Sequence, residues 1–188
     1  MKVAVIWSSP NADGLTATAK NQVIKGLKKA NAQVEEIPLN RLKMAYCQAC
    51  GTGFGICQSE GKCCEQDDFQ ETYQKLVDAD GIVFVTAVYW HDLTERMKAF
   101  LDRLRRCETA HNHFLREKRC LLVACAGGTG RGVIECLHNM EYTLGHMEMR
   151  AYDRLPVIRY NKDYMLPTLE KAGEVYAKRL IDGFDMHY

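Results

Sequence analysis

At 188 residues with a formal charge of +1, the chain is long enough to bury a sizeable core in one domain, and its charge balance gives no argument for nucleic acid or an anionic membrane as partner. No apolar run is long enough to span a bilayer, and the first residues lack a signal-peptide pattern. Nine cysteines without a secretory signal point to reduced thiols or a metal site in the cytosol rather than a disulfide framework.

In chain order, strand-like runs alternate with helix-like segments. Residues 3–7 (Val3-Ala4-Val5-Ile6-Trp7) read as a short buried strand, and a helix beginning near Thr16 is striped by Ala19, Val23, Leu27 and Ala30. Residues 34–39 read as a second strand, followed by an irregular cysteine-rich stretch over about 41–66. Asp67 or Asp68 can cap a helix carrying Phe69, Tyr73, Leu76 and Val77. A continuous apolar strand covers 81–86, and Leu93, Met97, Phe100, Leu101 and Leu104 stripe the next helix. Residues 119–126 form a fourth strand, and a glycine-rich loop over 127–132 opens a helix marked by Val133, Leu137, Met140 and Leu144. Residues 147–152 give a fifth strand, and the last helix is expected from about Pro167 to Phe184 on Leu169, Tyr176 and Leu180. Apolar strands separated by helices indicate an α/β, doubly wound parallel sheet covered on both faces. The whole chain, 1–188, is expected to form a single domain with the cysteine-rich stretch as an insertion.

In such sheets ligands sit beyond the carboxyl ends of the strands, where three loops stand out. The first, residues 8–16, enters a helix whose first turn has unpaired N–H groups and a positive dipole end, both suited to an anion. Ser8, Ser9, Asn11 and Thr16 add side-chain donors, and Gly14, followed by Leu15, lets the backbone approach closely. The stretch therefore reads as a cradle for one phosphate. It is not a P-loop, because no Lys follows Gly14, and the G-x-G-x-x-G fingerprint is absent. A phospho-acceptor receiver would carry acidic residues where Ser8 and Ser9 stand. The plainer alternative is an ordinary strand–turn–helix connection with Thr16 as N-cap.

The second loop follows Thr86 with Ala87, Val88, Tyr89 and Trp90, so two adjacent aromatics stand at a strand's exit. A flat ring could lie against them with backbone amides at its edge; alternatively they cover the following helix. In the third loop Gly127 and Gly128 permit close approach and Arg131 supplies a positive charge, or else it is a plain turn with a solvated Arg. A phosphate cradle with two ring-edge loops suits a planar, monophosphorylated cofactor, and FMN fits that description.

The residues Ser9-Pro10, Gly14-Leu15-Thr16-Ala17, Asp67-Asp68, Ala79-Asp80-Gly81-Ile82-Val83-Phe84, Val88-Tyr89-Trp90 and Met97-Lys98-Ala99-Phe100-Leu101-Asp102-Arg103 resemble the NADPH-dependent FMN reductase family of flavodoxin-fold proteins. The resemblance extends to about Gly132. It implies a five-stranded parallel sheet in the order 2-1-3-4-5, non-covalent FMN, NAD(P)H as co-substrate, and homodimers or homotetramers. It assigns phosphate contact to Ser9, Asn11, Gly14, Leu15 and Thr16, and ring contact to Thr86, Ala87, Val88, Tyr89, Trp90, Gly127 and Gly128. Thr86 departs from the Ser-Pro often found before Val-Tyr-Trp, a place where the flavin needs only backbone and a small side chain.

Cys47, Cys50, Cys57 and Cys63, with Cys64 adjacent, are dense enough to bind metal. Iron–sulfur flavoproteins of the same fold carry a motif near C-x2-C-x2-C-x5-C just before the paired aspartates, and the four cysteines resemble it except that Gly51 to Ile56 separate the second and third. An iron–sulfur cluster, a four-cysteine zinc site, a redox-active Cys47/Cys50 pair and buried structural thiols all remain open. Cys107, Cys120, Cys125 and Cys136 are expected to pack as small hydrophobes. His111 and His113 fall in a polar loop. Arg103, Arg105 and Arg106 are expected at a solvated helix end.

The expected function is a cytoplasmic FMN-dependent NAD(P)H oxidoreductase delivering electrons to a small-molecule acceptor, with the redox step on FMN and no general acid or base on the protein. The alternatives are an electron-transfer, iron–sulfur flavoprotein reduced by a protein donor such as ferredoxin, and a non-catalytic module that has lost its cofactor.

Overall fold

The structure, a computed structural model, describes residues 1–183. Its parallel sheet runs β2 (Gln33–Pro38), β1 (Lys2–Ser8), β3 (Gly81–Tyr89), β5 (Arg119–Ala126), β6 (Arg150–Ile158). A two-residue β4 (Asp92–Leu93) folds back antiparallel on the end of β3. With β4 set aside, the order is the expected 2-1-3-4-5.

Alternate residues of the central strands feed two cores. Ala4 and Ile6 of β1, Phe84 of β3 and Leu122 of β5 face α3 (Phe69–Val77), α4 (Glu95–Cys107) and α5 (Val133–Gly145). Val3, Val5, Val83 and Val123 face α1 (Leu15–Lys29) and α6 (Lys162–Asp182). On that side α1 and α6 touch backbone to backbone: a Cβ on Gly26 would stand 1.9 Å from the Glu170 carbonyl oxygen, and one on Gly173 would stand 2.5 Å from that of Val23. Any larger residue at either position separates the helices.

Three boundaries differ from the sequence expectation. β3 continues three residues past Thr86, because Val88 and Tyr89 pair with Leu93 and Asp92 across the turn at Trp90 and His91. The fifth strand starts later and runs further, to Ile158, because Met147 and Met149 belong to the turn that ends α5, where their N–H groups both bond the Leu144 carbonyl. The last helix begins before Pro167, at Lys162, with the Asn161 carbonyl accepting from Met165. Its expected end at Phe184 lies outside the described residues. Among the described residues no helix is long and apolar enough to cross a membrane.

The cysteine-rich stretch carries only a short helix, α2 (Ile56–Ser59), and is tied down from outside. The carboxylates of Asp67 and Asp68 accept from the N–H groups of Ala45 and Lys43, each at 2.7 Å. Asp68 is the N-cap residue of α3 by backbone position, while Asp67 accepts from the Phe69 N–H at 3.1 Å.

Candidate functional site

The first loop enters α1 through Gly14, which offers no side-chain cap. Helix geometry leaves the N–H groups of Leu15, Thr16 and Ala17 without intrahelical acceptors, and the first ladder bond is Thr18 N–H to the Gly14 carbonyl at 2.9 Å. Thr16 is therefore inside the helix rather than its N-cap; it is buried, with its hydroxyl against the Cys125 thiol. Ser9 lines a cleft of about 200 Å³ with Trp7, Pro10, Asn40 and Arg41, and its Oγ accepts from the Asn11 N–H at 3.3 Å. Asn11 is exposed.

Ser8, read from the sequence as a phosphate donor, is occupied elsewhere. It is fully buried, donates to Asn40 Oδ1 at 2.9 Å and shares a 2.5 Å hydrogen bond with Thr94 Oγ1. Thr94 caps α4 by accepting from Met97 N–H, and its own N–H bonds Thr86 Oγ1 at 3.4 Å. The Ser8 and Thr86 hydroxyls thus pin the ends of β1 and β3 to the start of α4. A ring could meet Thr86 only beyond this buried hydroxyl.

The loops meet in pairs. Gly14 and Leu15 of the first and Gly127 of the third line one open cleft of about 460 Å³ together with Asp13, Arg159, Lys162 and Leu166. The β3–β4 turn and the glycine loop abut: a Cβ on Gly132 would stand 2.5 Å from His91 Cα. Among the described residues nothing lies within 4 Å of a Cβ placed on Gly127 or Gly128, so the backbone there is open to a ligand's edge. Trp90 and His91, at φ 48° and 68°, form a two-residue turn that Asn-Gly would make with less strain. Trp90 is 97% exposed, so it does not cover the following helix, and Tyr89 is 40% exposed.

Cys47, Cys50, Cys57, Cys63 and Cys64 line a separate, narrow cavity of about 20 Å³ with Cys107, Arg103 and Arg106. The sulfurs of Cys50 and Cys64 are 3.4 Å apart. Among the described residues no three His, Cys, Asp or Glu side chains gather closely enough to hold one metal ion; the thiols share a wall without meeting at a point. Burial pushes the Cys107, Cys125 and Cys136 thiols up to about 12 and raises Cys120 further, in keeping with their role as small apolar groups.

The expectation of a solvated helix end fails at Arg103, which is 1% exposed. It bonds both carboxylate oxygens of Asp67, at 2.7 and 2.9 Å, and the Ala45 carbonyl at 3.1 Å. It stacks over the Phe69 ring, 4.3 Å from its centroid. Its Nε is buried without a hydrogen-bond partner among the described residues, and the guanidinium adjoins Cys63. Arg106 donates to the Gly53 carbonyl and covers the Phe54 ring. Both arginines hold the cysteine segment. The helical spacing of Arg103 from Phe100 and Cys107, with an acidic pair at 67–68, was the available signal. Arg159 and Lys162 had none, because only the fold brings the start of α6 beside α1.

A doubly wound parallel sheet with an anion-ready helix start and two open loops at its carboxyl edge defines a flavodoxin-like α/β protein. The chain belongs to the NADPH-dependent FMN reductase family, whose profile matches residues 1–160. It is similar to an iron–sulfur flavoprotein of Archaeoglobus fulgidus, 30% identical over 104 residues, covering 55% of this chain and 46% of the relative. It is also similar to one of Methanocaldococcus jannaschii, 33% identical over 132 residues, covering 70% of this chain and 65% of the relative. The chain thus matches about half to two thirds of the length of these relatives. The solved structure of an NAD(P)H:quinone oxidoreductase from Methanothermobacter marburgensis superposes with a TM-score of 0.74 at 18% identity, covering 100% of this chain and 99% of that one, a likeness of fold.

Proposed function

We propose that the chain is an FMN-dependent oxidoreductase that takes electrons from NADPH or NADH and passes them to a small-molecule acceptor. The observation that carries this reading is that the uncapped start of α1 and the open Gly127 share one cleft at the carboxyl edge of the sheet, with the β3–β4 turn packed on the same glycine loop. Bound FMN would supply the redox chemistry, accepting two electrons and releasing them to the acceptor.

The chain's part is to bind, orient and tune. The N–H groups of Leu15 and Thr16, with Ser9 and Asn11, would hold the phosphate, and Arg159 and Lys162 in the same cleft add positive charge. Backbone N–H groups in the Ala87–Trp90 and Gly127–Gly128 loops would stabilise negative charge at the ring edge. Tyr89 and Trp90 would flank the ring. A homodimer or homotetramer belongs to the proposal, since the exposed Ile134 and Tyr142 of α5 are apolar surface that a second copy would cover.

The test is anaerobic: protein loaded with FMN is mixed with NADPH and, separately, with NADH. Loss of the visible flavin absorption with either is expected; if neither bleaches it, the nicotinamide reading is wrong.

The cysteine cavity favours a second reading, in which a protein donor such as ferredoxin reduces the chain through an iron–sulfur cluster on Cys47, Cys50, Cys57 and Cys63. A cluster there would supply one-electron transfer. What supports it is the chemistry of the lining. Four thiols share one cavity wall with Arg106, a cation that would offset the charge of thiolate ligands, while Arg103 is already paired with Asp67. The thiols would have to draw together to ligate a cluster. Reduction by ferredoxin without nicotinamide turnover would support this reading over the first.

A further inference from the structure

We propose that Cys50 and Cys64 form a redox-active dithiol that closes to a disulfide, a covalent site separate from the flavin cleft. The spacing Cys47-x-x-Cys50 points to those two as the redox pair, but the structure pairs Cys50 with a residue fourteen positions on, sulfur to sulfur at 3.4 Å. A disulfide needs about 2.05 Å, so the sulfurs must approach by only a little more than an ångström. Cys64 is exposed and Cys50 half-buried, so a small thiol reagent reaches the pair from solvent.

The surrounding residues hold this geometry. Ala49, Gly51 and Gly53 all have positive φ, and the Gly53 N–H closes a turn onto the Cys50 carbonyl at 3.0 Å. Gly55 lies against the Cys50 side chain, where a Cβ would stand 2.9 Å from Cys50 Cβ. Arg106 anchors the turn through the Gly53 carbonyl, and Asn112 Nδ2 anchors the return limb through the Gly61 carbonyl at 2.7 Å. Cys63, by contrast, is packed on the core and adjoins Arg103. The two neighbouring cysteines are thereby given different surroundings: Cys63 faces inward and Cys64 meets solvent and Cys50.

The oxidant is a low-molecular-weight disulfide, RSSR. The thiolate of either cysteine attacks one of its sulfurs, forming a mixed disulfide and releasing RSH with the proton that thiol gave up. The other thiol of the pair, as thiolate, then attacks the protein sulfur of the mixed disulfide, forming the Cys50–Cys64 bond and releasing the second RSH. Two thiols are oxidised, RSSR is reduced to two RSH, and no other reactant is needed. Because Cys50 cannot serve in a disulfide and ligate metal together, the closed pair also removes one candidate ligand from the cavity. The dithiol itself depends on neither reading of the previous section.

The full-length chain is reduced with dithiothreitol and EDTA, desalted, exposed to oxidised glutathione at mildly alkaline pH, blocked with N-ethylmaleimide and cut with trypsin. Cleavage after Lys43, Lys62 and Lys75 places Cys50 in peptide 44–62 and Cys64 in peptide 63–75. A linked pair of these peptides, carrying N-ethylmaleimide on the remaining cysteines and two hydrogens lighter than the sum of its parts, is expected from the parent protein and from Cys47→Ser, and its loss from Cys64→Ser. Fragmentation of the linked pair from the parent protein locates the bond without any variant. The proposal is overturned if the parent protein yields no link, if fragmentation places it on Cys63 or Cys47, or if it persists in Cys64→Ser.

Discussion

Arg103 and Asp67 face each other through two hydrogen bonds, at 2.7 and 2.9 Å, with the guanidinium 1% exposed. The pair joins α4 to the end of the cysteine segment, so it fixes the wall on which Cys63 sits. Burial acts to raise the Asp67 carboxyl, but Arg103 and the N–H groups of Ala45 and Phe69 outweigh it and hold the group below its ordinary value. Asp67→Asn leaves a buried cation without its counter-charge and is expected to cost about 3–5 kcal/mol of stability near neutral pH, read by urea unfolding. Because the folded pKa is depressed, the stabilisation is present above the unfolded value of about 3.9 and is lost as pH falls through the lower, folded value. The difference between parent and Asn variant should therefore narrow in acid.

Gly26 and Gly173 let α1 and α6 meet, with a Cβ on Gly26 only 1.9 Å from the Glu170 oxygen. Helix propensity alone would make Gly26→Ala stabilising by about 1 kcal/mol. The clash with backbone, which cannot swing aside, is expected to reverse the sign and lower stability by about 1–3 kcal/mol. Thermal unfolding of Gly26→Ala beside an exposed Gly145→Ala control separates the two effects.

Trp90 combines a positive φ of 48° with 97% exposure. Nothing in the fold requires the indole, and its backbone conformation suits Asn better. Trp90→Asn should hold or raise the melting temperature while weakening FMN binding severalfold, on the order of 1 kcal/mol for a lost aromatic contact. An unchanged FMN affinity would remove Trp90 from the flavin site.

Among the described residues Gly127 has no atom within 4 Å of a Cβ, so Gly127→Val should fold with unchanged stability. In the cleft shared with Gly14 and Leu15, the added methyls should instead obstruct FMN. Retention of full FMN binding in a well-folded Gly127→Val would show that the ring does not pass close to this loop.

Much of this was legible in the sequence, because the central strands are apolar on both faces and announce a buried parallel sheet. The edge strand β6 was harder to read: it has β5 alone as a neighbour, and Asp153 and Arg154 interrupt its apolar pattern. Pro167 reads as a helix start, yet Asn161 opens the helix a turn earlier. Side-chain roles were less legible than elements. Ser8 and Ser9 are adjacent and chemically alike, but β-strand alternation turns Ser8 inward to Asn40 and Thr94 while Ser9 lines a cleft. Arg103 looked like a charged helix end because its partner Asp67 is 36 residues away. Cys64 stood outside the metal-like spacing, and only the fold of the segment brings it to Cys50.

The proposed phosphate site is the uncapped start of α1. Its most direct test is a fluorescence titration of flavin-free protein with FMN and, in parallel, with riboflavin, which has the same ring and no phosphate. Two charge-assisted hydrogen bonds from the first turn, at about 1.5–3 kcal/mol each, predict FMN binding tighter by at least about a hundredfold. Equal affinity for the two flavins would contradict the account.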